Sequence, residues 1–477
     1  MSKYKTTEVL ERYLPIDVID ADRLLKEELE RNQVKFIVLD DDPTGIQTVH
    51  DVSVFTDWSK GSMRKGFQEK SRLFYILTNS RSMTPDQTRK IHEEIAGTAA
   101  EISEETGQKY LFISRSDSTL RGHYPLETAV LREAIENQGK YKVDGEILCF
   151  FFKEGGRYTI ENIHYVKDKD LLVPAGQTEF ARDKTFGYRS SDLREYVEEK
   201  NEGAFCAEDT ICISLEMIRN CDYQGIEDLL MSVTDFHKVI VNAVDYCDLT
   251  VFCTALYRAM AKGKTFLFRS AASLVKVIGG VSDRPLLTRD EMITGNTKNG
   301  GIVVVGSHTN KTTAQLKELL KLEEVTGIEF DSDLVLEGDA VFQSEISRTV
   351  ALSEQVMASG KTAVCYTKRR LLTVKEDSKA EALLRSVKIS QGVQELVGRL
   401  TVMPAFVVAK GGITSSDIGT KALCVRKANV MGQIKPGIPV WQTDENSRFP
   451  KIPYIIFPGN VGEDSTLKEA VEVLIRQ

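Results

Sequence analysis

Residues 36–51, FIVLDDDPTGIQTVHD, decide how this chain is read. Phe36, Ile37, Val38 and Leu39 form a short apolar run that stops abruptly. A brief, partly β-branched run of this kind predicts a buried strand of a parallel sheet. It gives way at once to Asp40, Asp41 and Asp42, followed by Pro43, Thr44 and Gly45. Adjacent carboxylates repel, so a fold keeps three at a strand end only where something binds or solvates them. In open α/β sheets ligands sit outside the carboxyl ends of the strands. Two readings follow: a polar substrate or metal site at a strand tip, or a solvated acidic turn, because Asp-Pro and Thr-Gly are ordinary turn formers.

Outward from this stretch, strands and helices alternate. The apolar segment 73–77 ends at Thr78, Asn79, Ser80 and Arg81, and Thr84-Pro85-Asp86 starts a helix carrying Ile91, Ile95 and Ile102. Segment 110–113 is a further strand and ends in SRSDSTLRGH, 114–123. A helix over 124–137 and a strand over 147–152 follow, the latter ending in KEGGR, 153–157. This βαβα order predicts a largely parallel sheet covered on both faces. Four strands thus end in polar loops, which a doubly wound sheet can bring to one crevice. The stretch 158–235 has no clear period. Within it 173–193, VPAGQTEFARDKTFGYRSSDL, reads as a lid or a domain-crossing loop. Strand character returns over 239–243 and 265–268, with a helix near 249–261 between them.

Residues 1–33 read as an N-terminal helical extension, with ADRLLKEELER at 21–31 behind a cap at Asp20. Packing or an oligomer contact, such as a homodimer, is the expected role. The Gly-, Pro-, Asp- and Asn-rich stretch 279–300 reads as a linker. Beyond it the α/β rhythm repeats, with strands near 302–305, 326–330, 362–366, 404–408, 428–431 and 454–457. The expected fold class is α/β: two α/β domains with largely parallel sheets, over 34–280 and 301–477 with 281–300 joining them, and a ligand cleft between domains.

The chain has 477 residues, 42% apolar and 28% charged, the balance of a globular protein of two or three domains. There is no run of 18 apolar residues, so no membrane partner is expected. The opening MSKYKTTEVLERYL has no apolar core of a secretory signal, which points to the cytoplasm. A net charge of −8 argues against a nucleic-acid partner. The eight cysteines are scattered without C-x-x-C spacing, which reads as reduced thiols and leaves no zinc-ligand pattern.

The second half carries three strand-to-helix turns rich in glycine and hydroxyls. Gly306-Ser307-His308-Thr309-Asn310 is the first. KGGITSSDIGTKAL, 410–423, is the second, and Pro458-Gly459-Asn460-Val461-Gly462 the third. GQIKPGIPVW, 432–441, adds Gly432. Such turns offer free backbone N–H groups and hydroxyls to an anion. Neither G-x-x-x-x-G-K-[ST] nor a strand-borne G-x-G-x-x-G is present, so the signal for phosphate rests on three turns in one domain.

Together these motifs resemble the four-carbon acid sugar kinase family over nearly all of 34–470. The resemblance rests on DDDPTG with QTVHD, TNSR, DSTLRGH and the Glu-Gly-Gly-Arg stretch, and on VGSHTNKT, KGGITSSDIGTKAL, GQIKPGIPVW and PGNVG. It implies an N-terminal acid-sugar domain, a C-terminal ATP domain, and phosphoryl transfer from ATP to a substrate hydroxyl across the cleft. The ATP-binding positions it implies are Ser307, Gly411, Gly412, Ile413, Thr414 and Gly459, with Ile413 contributing backbone only. On the substrate side it implies Asp41, Asp42, Arg81, Asp117, Ser118, Thr119 and Arg121. Arg115 stands where a Lys is usual, and FRSAASL, 268–274, departs from the usual Gly-Ser-Ala-Gly form; both bear on the substrate more than on the reaction.

Chemistry adds roles to these residues. A sugar acid needs cations for its carboxylate, and Arg81, Arg115, Arg121 and Arg157 at strand ends suit bidentate recognition, against the bland alternative of surface ion pairs. One aspartate must orient or deprotonate the attacking hydroxyl: Asp117 first, Asp42 next. Thr309 and Gly432 join the nucleotide set through their turns. Mg²⁺ is expected with ATP, with no protein ligand named. His123 and His308 read as structural before ligating. A haloacid-dehalogenase-like phosphatase using the D-x-D-x-T pattern of Asp40 to Thr44, a non-catalytic sugar-acid-binding protein and an inactive kinase-like protein are the alternatives.

Overall fold

The computed structural model describes residues 4–5, 11–13, 15–139, 141–295, 297–370, 372–374, 378–459 and 461–476. The chain forms two compact units, Met1–Val49 with Asp57–Asp283, and His50–Thr56 with Arg284–Gln477.

The first unit is built on seven parallel strands. Their order is Ile211–Ile213, His237–Val241, Gly145–Cys149, Phe266–Ser270, Tyr110–Arg115, Lys35–Asp40 and Leu73–Leu77. Lys35–Asp40 is buried along its whole length, as an inner parallel strand must be. Helices cover the sheet. Pro85–Thr106 begins as read: Thr84 accepts from the Gln87 N–H, the Gln87 side chain returns the bond, and Gly107 ends the helix with left-handed backbone.

The N-terminal reading needs correction. The helix is Val18–Arg31, and its cap is Asp17, which accepts from the Ile19 and Asp20 N–H groups. Its Ala21 and Leu25 are buried, and Glu28 meets Arg258 at 3.1 Å, so this helix packs on Tyr246–Ala261 within the same unit. Ahead of it Tyr4–Lys5 adds an edge strand to an antiparallel sheet ordered Tyr4–Lys5, Leu171–Pro174, Ile163–Asp168, Arg157–Ile160. Residues 173–193, read as a lid or a domain-crossing loop, form a packed segment of the first unit. They carry short helical turns at Ala175–Gln177 and Phe180–Arg182, and the buried Ala175, Ala181 and Tyr188 belong to one hydrophobic cluster with Leu120, Tyr124 and Tyr196.

Among its described residues the second unit has eight strands, in the order Val52–Phe55, Lys427–Lys435, Ile438–Thr443, Pro453–Phe457, Val407–Lys410, Ile302–Val305, Thr362–Thr367 and Val325–Phe330. The first three pairings are antiparallel and the rest parallel. Val52–Phe55 was not foreseen. It leaves the first unit soon after the acidic strand end and pairs with Lys427–Val430, Phe55 opposite Lys427. Part of the stretch read as a linker packs into the second unit: Leu287 and Met292 are buried in its core, and Thr288 and Glu291 cap the short helix Arg289–Met292.

Candidate active site

Because the seven strands of the first unit run parallel, the loops at their carboxyl ends share one edge of the sheet. Arg81, in the turn after Leu73–Leu77, grips Asp41 with two bonds, Nη2 to Oδ1 at 2.7 Å and Nε to Oδ2 at 3.1 Å, and stands 3.6 Å from Asp42. Ser116 Oγ donates to Asp41 Oδ2 at 2.7 Å. Arg121 Nε donates to Asp117 Oδ2 at 2.7 Å, and the Thr119 hydroxyl donates to the same oxygen. Burial disfavours charge on Asp117, but Arg81 and Arg121 outweigh it and hold the carboxyl well below the usual range. Asp41 is likewise held low against burial by Arg81 and Arg115.

Arg115 and Asp40 are different. Arg115 is buried and donates to Asp40 Oδ1 at 2.7 Å and to the carbonyls of Ser116 and Asp42 at 3.0 and 3.3 Å. Three of its five N–H groups are engaged in joining strand ends. Burial pushes Asp40 up to about 7 against the pull of Arg115. Arg157 has the opposite character. Its Nη1 donates to the Gly155 carbonyl, its Nε is buried without a partner, and among the described residues no carboxylate pairs with it. Burial lowers its pKa, the Asp117 charge resists, and the Phe180 ring lies 5.9 Å away. Arg121 lies 4.9 Å over the same ring, so Phe180 is a wall common to both guanidiniums.

A buried layer supports this cluster. Arg269 donates to Ser114 Oγ at 2.9 Å and to Glu127. Glu127 also accepts from Ser80 Oγ at 2.6 Å and from Ser114 Oγ at 3.2 Å. The Asp117–Gly122 loop is held from outside by three donors to its carbonyls: His164 Nε2 to Ser118 at 2.8 Å, Tyr188 to Thr119 at 2.8 Å, and Tyr196 to Leu120 at 2.9 Å. Gly122 has φ +120°, and a Cβ there would stand 2.7 Å from both Arg269 Nη2 and Ser116 Oγ, so the loop closes over Arg269 only with glycine. Sequence reading missed Glu127, His164, Tyr188 and Tyr196. The departure at 268–274 was the one signal for Arg269.

In the second unit the three glycine turns interlock. Thr309 caps Asn310–Leu319, accepting from the Thr312 N–H at 3.2 Å. Gly411, φ +120°, opens Gly412–Asp417, and a Cβ on it would lie 3.3 Å from Ser307 Cβ, so the first two turns touch. Lys410 ends its strand fully buried and donates to the carbonyls of Pro458 and Gly459 at 2.6 and 3.1 Å, tying in the third. Burial, with Lys311 adding, lowers Lys410 to about 7. Ile413 is 68% exposed, which suits a backbone role. Asn460 lies outside the described residues. Gly432 sits apart from this arrangement in a β-bulge of Lys427–Lys435, with Leu287 and Arg284 3.5 Å from where a Cβ would stand. Its φ of +137°, a backbone region that favours glycine, accounts for the residue at the bulge.

The sugar-binding N-terminal domain family matches residues 36–278, and the nucleotide-binding C-terminal domain family matches residues 302–467. The chain belongs to the four-carbon acid sugar kinase family. Among solved structures, this acid-sugar-kinase-family chain is similar to a Haemophilus influenzae protein of the family DUF1537, with 16% identity and TM-score 0.61 over 92% of this chain and 100% of the other. It is similar also to a Salmonella typhimurium LT2 protein provisionally called a tRNA synthase, with 14% identity and TM-score 0.67 over 91% of this chain and 98% of the other. At these identities the likeness is one of fold. No curated protein matches the chain.

In this family member the first unit bonds Arg81 to Asp41 and Asp42, and Asp117 to Thr119 and Arg121, the Arg81 charge acting on Asp117 as well, with Arg157 alongside and Ser118 half-buried behind its carbonyl bond to His164. The second unit gathers Ser307, Thr309, Gly411, Thr414 and Gly459. His123 Nε2 donates to the Met83 carbonyl at 3.0 Å, and the ring packs edge-on to Phe186, as a structural histidine does. Among the described residues no group of three His, Cys, Asp or Glu is placed to hold a metal, no helix is long and apolar enough to cross a membrane, and the cysteines are free thiols.

Proposed function

We propose that the protein is an ATP-dependent kinase that phosphorylates a hydroxyl of a small acid sugar, a four-carbon acid such as threonate, erythronate or 3-oxo-tetronate. The observation that carries this reading is Arg157. A guanidinium that is mostly out of water, lacks a carboxylate partner among the described residues and stands beside Asp117 is a ready receptor for a substrate carboxylate. It belongs to the unit that matches a sugar-binding family, in a chain whose other unit matches a nucleotide-binding family.

In this reading Arg157, with Arg121 and Arg81, fixes the sugar acid by its carboxylate, and Phe180 closes one side. Asp117, held ionised by Arg81 and Arg121, accepts the hydrogen bond of the attacking hydroxyl and aims its oxygen; Asp42, half-buried, is the second acceptor. The hydroxyl oxygen bonds to the γ-phosphorus as the bond to the ADP oxygen breaks, so the chain's task is positioning and charge neutralisation. Asp41 and Arg115 act as positioning residues, each already bonded to neighbours. The interlocked turns at Ser307, Gly411–Thr414 and Gly459 hold the nucleotide phosphates. When bound, Mg²⁺ would supply charge neutralisation at the ATP phosphates; such an ion keeps waters and needs few protein oxygens, which the hydroxyls of Ser307, Thr309 and Thr414 in these turns would offer.

The phosphatase alternative needs Asp40 as nucleophile. That carboxyl is 1% exposed, bonded to Arg115 and pushed towards its neutral form, so it offers no free nucleophile. The test is ADP release from Mg-ATP across four-carbon aldonates and 3-oxo acids, with longer sugar acids as controls. ADP release that depends on a four-carbon acid is expected. Phosphate release without ATP, or acid-sugar binding with no ATP binding, would overturn the kinase reading.

A further inference from the structure

We infer that Arg369, which no motif singles out, contacts the phosphate chain of the nucleotide; the inference rests on the nucleotide-binding reading of the second unit and adds a residue to it. Arg369 follows the strand Thr362–Thr367, which runs parallel to Ile302–Val305 with Tyr366 opposite Val305. The shared register brings it beside the first glycine turn. Its Nη2 donates to the Ser307 carbonyl, its Nη1 to the Thr367 carbonyl at 3.3 Å, and its Nε approaches Thr313 Oγ1 at 3.5 Å.

Every one of these acceptors is neutral. The flanking cations behave otherwise: Lys368 pairs with Asp331 at 2.6 Å and Asp333 at 3.2 Å, and Arg370 pairs with Asp333 at 2.9 Å. Among the described residues no carboxylate pairs with Arg369. Burial pulls its pKa down and Tyr366 alone pulls the other way. A half-buried guanidinium without a counter-charge is unfavourable by itself, and that penalty is relieved when an anion arrives. The surroundings are those of an anion site. Ser307, Thr309 and Thr312 hydroxyls stand within 3.0 to 3.5 Å of one another at the start of the Asn310–Leu319 helix. His308 Nε2 is 3.3 Å from Thr367 Oγ1, and burial together with Arg369 keeps its ring towards the neutral form. A guanidinium presents a planar fork that two phosphate oxygens can accept at once.

The competing role is purely mechanical, a pin joining two strand ends through carbonyls. Arg369→Gln keeps amide donors for those carbonyls and removes the charge, so it separates the two roles. Arg369→Lys keeps the charge and loses the fork. Binding of ATP, ADP and adenosine to the full chain is measured by calorimetry, with melting temperature as the folding control. Losing one charge-assisted contact is expected to weaken ATP by about tenfold or more in Arg369→Gln. ADP should weaken in the same direction, adenosine should be unchanged, and Arg369→Lys should recover part of the loss. ATP affinity in Arg369→Gln equal to that of the unaltered protein overturns the inference. So does a loss of adenosine binding in parallel with ATP, which is the mark of a pin. An unaltered protein that binds none of the three overturns the kinase reading itself, and this contact with it.

Discussion

Asp117, half-buried, and Lys410, fully buried, are both ionisable side chains, and their neighbours set them in different charge states. Arg81 and Arg121 keep Asp117 ionised, so Asp117→Asn exchanges a charged acceptor for a neutral one of the same shape. Turnover should fall by about 10²- to 10⁴-fold, the usual weight of a positioned acid or base, while ATP affinity, measured by calorimetry, stays as it was. Near-normal turnover would remove Asp117 from the mechanism. Lys410 has no counter-charge among the described residues, and burial brings it to about 7, against about 10.4 in an unfolded chain. Between those values the unfolded state binds more protons, so this residue's contribution to stability rises with pH and is lost as pH falls towards about 7. The stability of Lys410→Met relative to the unaltered protein, followed by thermal melts, should therefore be highest near pH 7 and decline towards pH 10, by at most about 1.4 kcal/mol per pH unit. A difference that is flat across that window would mean the lysine is charged in the fold. The same contrast explains what sequence could not tell about Arg115 and Arg157. Both are arginines beside a strand end, and only the position of Asp40, 2.7 Å from one and no partner of the other, separates a guanidinium clamped to a carboxylate from one without such a partner among the described residues.

At the scale of the element, the Gly411–Gly412 turn is the sharpest constraint in the second unit. Gly411 has φ +120° and ψ 145°, a backbone region open to glycine alone. Gly411→Ala must either strain that residue or move the turn away from Ser307, and should lower stability by about 1–3 kcal/mol and weaken ATP more than adenosine. Thermal melts and titrations would check both, and an alanine variant with unchanged melting and ATP affinity would show that the turn has room to adjust. Elements of this kind were legible beforehand, because a buried parallel strand, a polar tip and a capped helix are written in neighbouring residues. Thr84-Pro85 announced its helix, and the motif at 410–416 announced its turn. The segments that misled were those whose partners are far away in sequence. Residues 173–193 carry Gly, Pro and charge like a mobile loop, yet Tyr188 is fixed by the Thr119 carbonyl and Phe180 by two guanidiniums. Val52–Phe55 alternates too briefly to be recognised without Lys427–Val430 beside it.

That short strand governs the molecule as a whole. Each unit is close to one stretch of sequence, and the matched families at 36–278 and 302–467 invite a cut between them. The second unit, however, takes its edge strand from residues 50–56. Thr56 N–H bonds the Arg426 carbonyl at 3.1 Å, Thr56 Oγ1 bonds the Val425 carbonyl at 2.6 Å, and Val52 to Phe55 are buried. A fragment beginning at Arg284 would leave the backbone of Lys427–Val430 unpaired at an open edge, the arrangement that invites pairing with another copy. Such a fragment should melt lower and self-associate on gel filtration. The same fragment carrying residues 50–56 ahead of it on a flexible linker should recover stability, since the linker restores the strand as an intramolecular partner. Equal melting of the two fragments would show that the strand is an ornament on a self-sufficient sheet. A difference in the expected direction would make residues 50–56 part of the nucleotide-binding fold, so that a cut placed between the matched families would divide a unit that folding keeps together.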